Sequence, residues 1–179
     1  MKYIKNFREL SLLEVRTEVY NILKVAGSKM KIVMSPRSIK GEFKYSPKPQ
    51  EDEPLLKPNG LYYSYGTTWI DWVKDNEPDW EGDDVYYLDT NDSKILKLNT
   101  LEDIVEFGQT YGVKYEGRKN ILRINWKEVS KKWSGIEIGQ LVDDHFSTIS
   151  LYREPWYEAW GVGQGCIWGE GVVRALSKF

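Results

Sequence analysis

The chain has 179 residues, 41% of them hydrophobic and 29% charged, a composition and length that predict a single globular domain over residues 1–179 with one core. A formal charge of -2 at pH 7, with the basic residues spread along the chain, argues against nonspecific nucleic-acid binding. The longest apolar runs are a few residues and the N-terminal MKYIKNFREL lacks an apolar signal core, so neither secretion nor membrane insertion is expected and the predicted location is the cytoplasm. One cysteine, Cys166, and one histidine, His145, leave no internal disulfide and no two-histidine metal arrangement, so no metal is expected.

Along the chain, SLLEVRTEVYNILKVAG predicts an amphipathic helix: Ser11 and Glu14 form a capping box, Leu12, Val15, Val19, Ile22 and Leu23 share a face, and Gly27 suits the stop. MKIVMS (30–35) reads as a short strand, and residues 43–58, rich in proline and acid, as a flexible excursion. In KPNGLYYSYGTTWIDW, Pro58-Asn59-Gly60 is turn chemistry, LYYS has strand propensity, and Thr67 or Thr68 caps a helix carrying Trp69, Trp72 and Val73. DVYYLDTNDSKILKL has the form of a hairpin around Asn91-Asp92-Ser93. Thr100 and Asp103 open a helix with an apolar face of Leu101, Ile104, Val105 and Tyr111 that ends near Gly112. Asn125 and Glu128 start a short one closed by Gly135. GIEIGQL then reads as a strand and VDDHFS as a charged loop, while WYEAW, GCIW and GVVRAL read mostly as strands. Helices and strands alternate without a regular βαβ repeat, which predicts a mixed, mostly antiparallel α+β domain.

Eight tryptophans are present, with Trp69 and Trp72 in one short stretch and Trp156, Trp160 and Trp168 in another. Each can be a core residue, since an indole fills space between sheet and helix. In WYEAWGVGQGCIWGEG, however, aromatics alternate with glycines, and glycine weakens regular structure unless something approaches the backbone closely. Indole rings with glycine gaps would make a stacking wall for a flat ligand. Tyr62, Ser64 and Trp69 are the better candidates for such a pocket and Trp72 for core.

KPNGLYYSYGTTWIDW, KILKLNTLEDIVEFGQTYG, INWKEVSKKWSGIEI and WYEAWGVGQGCIW together resemble an uncharacterised family of phage and bacterial proteins. That family carries a KPxGLW-x-S-x-x-x-x-W block, an I-D-W-x-x-V block before a G-I-x-I strand, and a W-Y-x-x-W-D-x-x-S-G-C-I-W ending. The likeness spans Lys57 to Trp168, with Gly161 and Gln164 standing where the ending usually has aspartate and serine. It implies no particular activity; a phage-encoded member would act in the host cytoplasm.

The order of a basic residue, then G-L-Y-Y-S followed at once by a helix, then a late polar residue is also similar to ADP-ribosyltransferases. That resemblance implies an ADP-ribosyltransferase-like fold and NAD as the bound cofactor. Arg37 would hold the NAD ribose, Tyr62, Tyr63, Ser64 and Trp69 would shape the nicotinamide pocket, and Trp156 and Trp160 would add aromatic walls. Glu158, Gln164 or Glu170 would face the oxocarbenium-like transition state, a step that needs positioning and one negative charge. The product would be ADP-ribose on a protein or nucleic-acid acceptor, or hydrolysed NAD. The alternative is a non-enzymatic module engaging a host protein through exposed aromatics or residues 43–58.

Other constellations read more simply. Asp143, Asp144, His145 and Ser147 are neighbours on one loop, whereas triad members come together across a fold. Glu154, Glu158 and Glu170 could supply the carboxylate pair of a glycoside hydrolase, but sequence spacing does not fix their separation. Cys166 lacks a basic neighbour and reads as a small buried residue. QEDEP and EGDD read as solvated loops, with weak metal binding as the other possibility.

Overall fold

The computed structural model describes residues 12–26, 30–35, 45–80, 84–114, 122–139, 155–160 and 163–179. Ser11, Gly27, Arg37 and the loop holding Asp143, Asp144, His145 and Ser147 lie outside them, as do Glu154 and Gly161.

The elements in chain order are α1 (Leu12–Ala26), β1 (Lys31–Ser35), β2 (Leu61–Tyr65), α2 (Thr68–Asn76), β3 (Asp84–Thr90), β4 (Ile95–Leu98), α3 (Leu101–Tyr111), β5 (Gly112–Lys114), β6 (Leu122–Ile124), α4 (Trp126–Ser130), β7 (Gly135–Ile138), α5 (Pro155–Glu158), β8 (Gln164–Ile167) and β9 (Val173–Lys178). Seven strands form one sheet in the order β4-β7-β8-β2-β1-β3-β9, and β5 pairs with β6 separately. Within the large sheet the β4–β7 pairing is parallel and the others antiparallel. The domain is thus mixed α+β with a mostly antiparallel, curled sheet.

The starts of α3 and α4 follow their side-chain chemistry. Thr100 Oγ1 accepts from the Asp103 amide while Asp103 accepts from the Thr100 amide, a complete capping box for α3. Asn125 accepts from the Glu128 amide and opens α4. At α2, Thr67 occupies the N-cap position without a side-chain bond; the Thr68 hydroxyl instead turns back to the Tyr65 carbonyl. The bend before it uses Gly66 at φ 51°, a conformation that glycine adopts without strain.

Three expectations are corrected. The 84–98 stretch is not a hairpin, because a 3-10 turn at Asp92–Lys94 sends β4 to β7 at the opposite side of the sheet, while β3 pairs with β1 and β9. WYEAW is not a strand: Pro155–Glu158 is helical, starting at a proline, which suits a first helical turn. Residues 45–58 are fastened rather than loose. Tyr45 Oη donates to the Ile167 carbonyl at 3.1 Å, the Lys48 amide to the Trp168 carbonyl at 2.9 Å, and Leu55 exchanges backbone bonds with Ile124.

The curl is set by the inner face. In a flat sheet β1 and β7 would stand three strand spacings apart, about 14 Å. Lys31 Nζ on β1 nevertheless meets Glu137 Oε2 on β7 at 3.0 Å. Between them Gly165 on β8 is in register with both Tyr63 and Glu137. A Cβ at Gly165 would lie 2.2 Å from the Tyr63 ring, so the missing side chain lets Tyr63 cross β8 and donate from its hydroxyl to Glu137 Oε2 at 2.8 Å. Asp92 closes the group, accepting from Lys31 and Lys97, each at 2.8 Å. Elsewhere this face buries Val33, Tyr86, Leu88, Ile95 and Ile167, with Asp84 in register with Ser35 and ion-paired to Lys178 at 2.6 Å.

The outer face carries two separate aggregates. Over β4, β7 and β8, α3, α4 and α5 bury Ile104, Phe107, Trp126, Val129, Trp156 and Trp160 against Ile136 and Ile138. Over β1, Val19 and Leu23 of α1 and Ile70 of α2 bury Ile32. A gap is left between them above β2 and β8.

Candidate functional site

The gap is a pocket of about 340 Å³ lined by Ile32, Met34, Lys57, Tyr62, Tyr63, Ser64, Trp69 and Gln164. Its floor follows from register: Ile32 pairs with Ser64, and Ser64 with Gln164, so three consecutive strands present a side chain to one face at one level. Tyr62 stands on that face two residues before Ser64. Tyr63 contributes from between them, but its phenol turns to the inner face and Glu137.

Trp69 forms one wall, and its plane is fixed by stacking on Trp72, with ring centroids 5.0 Å apart and 16° between planes. Trp72 is therefore half-buried beside the pocket wall and not in the core; its other neighbour is Trp80, 6.2 Å away and 57% exposed. Trp156 and Trp160 stand apart from the lining. Trp156 packs on Phe107 at 5.1 Å and is fully buried, as is Trp160. Trp160 lies behind the opposite wall, 6.1 Å from the Tyr62 ring.

Lys57 supplies the polar end. Gln50 braces the turn that carries it, donating to the Asn59 carbonyl at 2.7 Å and accepting from the Asn59 amide at 3.0 Å. Tyr62 Oη adds a bond to the Pro58 carbonyl at 2.5 Å, and Gly60 sits so close to β8 that a Cβ there would lie 2.4 Å from the Ile167 carbonyl oxygen. Lys57 Nζ donates to Gln164 Oε1 at 3.2 Å and lies over the Tyr62 and Trp160 rings at 5.0 and 5.4 Å. Burial draws its pKa below the ordinary lysine value, and among the described residues no carboxylate is within ion-pair distance of it. Gln164 is 5% exposed, and its Nε2 is buried without a hydrogen-bond partner. A desolvated cation beside an unpaired amide donor makes an anion-accepting end in a mostly apolar pocket.

Tyr62, Tyr63, Ser64, Trp69 and Gln164 thus meet at one pocket. Arg37 lies outside the described residues; Glu158 ends α5, and its side chain is not among those described. Glu170 is exposed and belongs to a separate depression with Tyr45 and Pro47. Glu137, a buried acid, is on the inner face and tied to Lys31. Cys166 lies under Tyr62, its thiol pushed up to about 12 by burial, which makes it a poor nucleophile.

Comparison with protein-family models, with curated proteins and with solved structures returns no match. Among the described residues, no group of three or more His, Cys, Asp or Glu side chains is placed to hold a metal ion, and no helix is long and apolar enough to cross a membrane.

Sequence reading missed Lys57 as a site residue. The available signal was a lysine directly before the Pro-Asn-Gly turn and seven residues ahead of Ser64, but its approach to Gln164 crosses 107 positions of sequence.

Proposed function

We propose that the protein binds a small anionic ligand with a planar ring, a nucleotide of the NAD class, in the pocket between β1, β2, β8 and α2. The carrying observation is the pair formed by Lys57, desolvated and without a carboxylate partner among the described residues, and Gln164, whose buried Nε2 has no acceptor. The ring is held against Trp69, whose orientation the Trp72 stack sets before any ligand arrives. About 340 Å³ is at the small end of ligand sites, about 300–1,000 Å³, so one ring and its substituent are enclosed and the remainder of a dinucleotide extends outward. ADP-ribosyl transfer or NAD hydrolysis is the reaction proposed with this reading, from the resemblance that assigns Arg37 and Glu158.

The test is quenching of tryptophan fluorescence by NAD, ADP-ribose and ATP. Saturable quenching is expected, weakened about tenfold or more in Lys57→Met, since a hydrogen bond to a charged group contributes about 1.5–3 kcal/mol. No response to any of the three in the folded wild type sinks the reading. Nicotinamide release from NAD, lost in Glu158→Gln with ligand binding retained, is the measure of turnover. A second reading, a protein-binding module, is favoured by Trp80, which stands 57% exposed at the end of the tryptophan stack.

A further inference from the structure

The polar end of the pocket discriminates between chemical groups as well as charges. An ammonium can only donate, so the bond from Lys57 Nζ to Gln164 Oε1 fixes which way the amide faces. The oxygen is taken by Lys57 and Nε2 is left beside it, buried and without an acceptor. Two donors, one charged and one neutral, therefore stand next to each other, and the charge has no described carboxylate to balance it.

Resting on the reading above of a planar-ring nucleotide of the NAD class, we infer that within that class the pocket favours the acid form of the ring, a nicotinate-type carboxylate, over the neutral carboxamide, which it still admits but holds more weakly. One carboxylate oxygen accepts from Lys57 and the other from Gln164 Nε2. A carboxylate offers only acceptors, on two oxygens, and carries the single negative charge that one lysine balances. A carboxamide set in the same two-point geometry turns its NH2 group toward one of the site's donors, and it leaves the lysine charge unneutralised. The ring then lies against Trp69, with Ile32 and Met34 as apolar neighbours.

The experiment is isothermal titration calorimetry of the full chain with nicotinate, nicotinamide and NAD, repeated on Lys57→Met and Gln164→Leu. Nicotinate should bind about tenfold to a hundredfold more tightly than nicotinamide to the wild type, and the preference should collapse in Lys57→Met and shrink in Gln164→Leu. The wild-type comparison stands whether or not either variant folds. Nicotinamide or NAD binding as tightly as nicotinate overturns the selection while leaving a nucleotide pocket in place. No binding by any of the three overturns the selection and the underlying reading together.

Discussion

Gly165 and Cys166 are adjacent on β8 and show how one strand serves two faces. Gly165 is needed because Tyr63 crosses above it, and Gly165→Ala would drive a methyl group to within 2.2 Å of that ring. The loss expected in denaturant unfolding is about 3 kcal/mol, the upper range for overpacking a filled core; an unchanged midpoint would mean that the Tyr63–Glu137 contact is not what keeps this position bare. Cys166, on the opposite face, is fully buried with its thiol raised to about 12. A thiol reagent at neutral pH should modify it only after denaturant is added, and prompt reaction of the folded protein would contradict the burial. The glycine-aromatic alternation in the sequence did mark this strand as unusual. What it could not show is that the gap at Gly165 admits a side chain of the same protein, because Tyr63 is brought there by pairing across about a hundred positions of sequence.

At the scale of elements, local chemistry decides where helices begin. Removing the α3 cap with Thr100→Ala should cost about 1 kcal/mol of stability, read as a lower thermal midpoint. Hydrogen bonds from the Asn99 backbone, and then from Thr100, hold Asp103 below the usual carboxylate range. The cap's contribution is therefore complete above the ordinary Asp pKa and is lost as pH falls through the lower folded value. These starts were legible in sequence because caps are contacts over three or four residues. The 84–98 hairpin was not foreseen correctly, since turn residues report that the chain bends and not which strand it then joins. Pro155–Glu158 failed as a strand for a related reason: aromatic content gives β propensity, but burial against Phe107 rewards the helical placement equally well.

For the molecule as a whole, the Lys31–Glu137–Asp92 group holds the curl. Burial pushes the Glu137 pKa up, but hydrogen bonds from Tyr65, Tyr63 and Lys31 and the lysine charge outweigh it and leave the carboxyl below its ordinary 4.5. That stability is present above pH 4.5 and disappears as the pH falls through the lower folded value. Glu137→Gln should cost about 3 kcal/mol at neutral pH, as breaking one side of a buried pair does, and should flatten the acid limb of the stability profile. A variant that keeps the full acid limb would show that another carboxylate governs it. The sequence alone was enough for the α+β class, the strands at 31–35, 61–65 and 135–138, and the caps of α3 and α4, since propensity, periodicity and capping act between near neighbours. Only the tertiary structure decided the strand order, the curl, the removal of Trp156 and Trp160 into the core, and the meeting of Lys57 with Gln164. Those depend on which distant strands align, a free-energy balance of register and burial that no local pattern encodes.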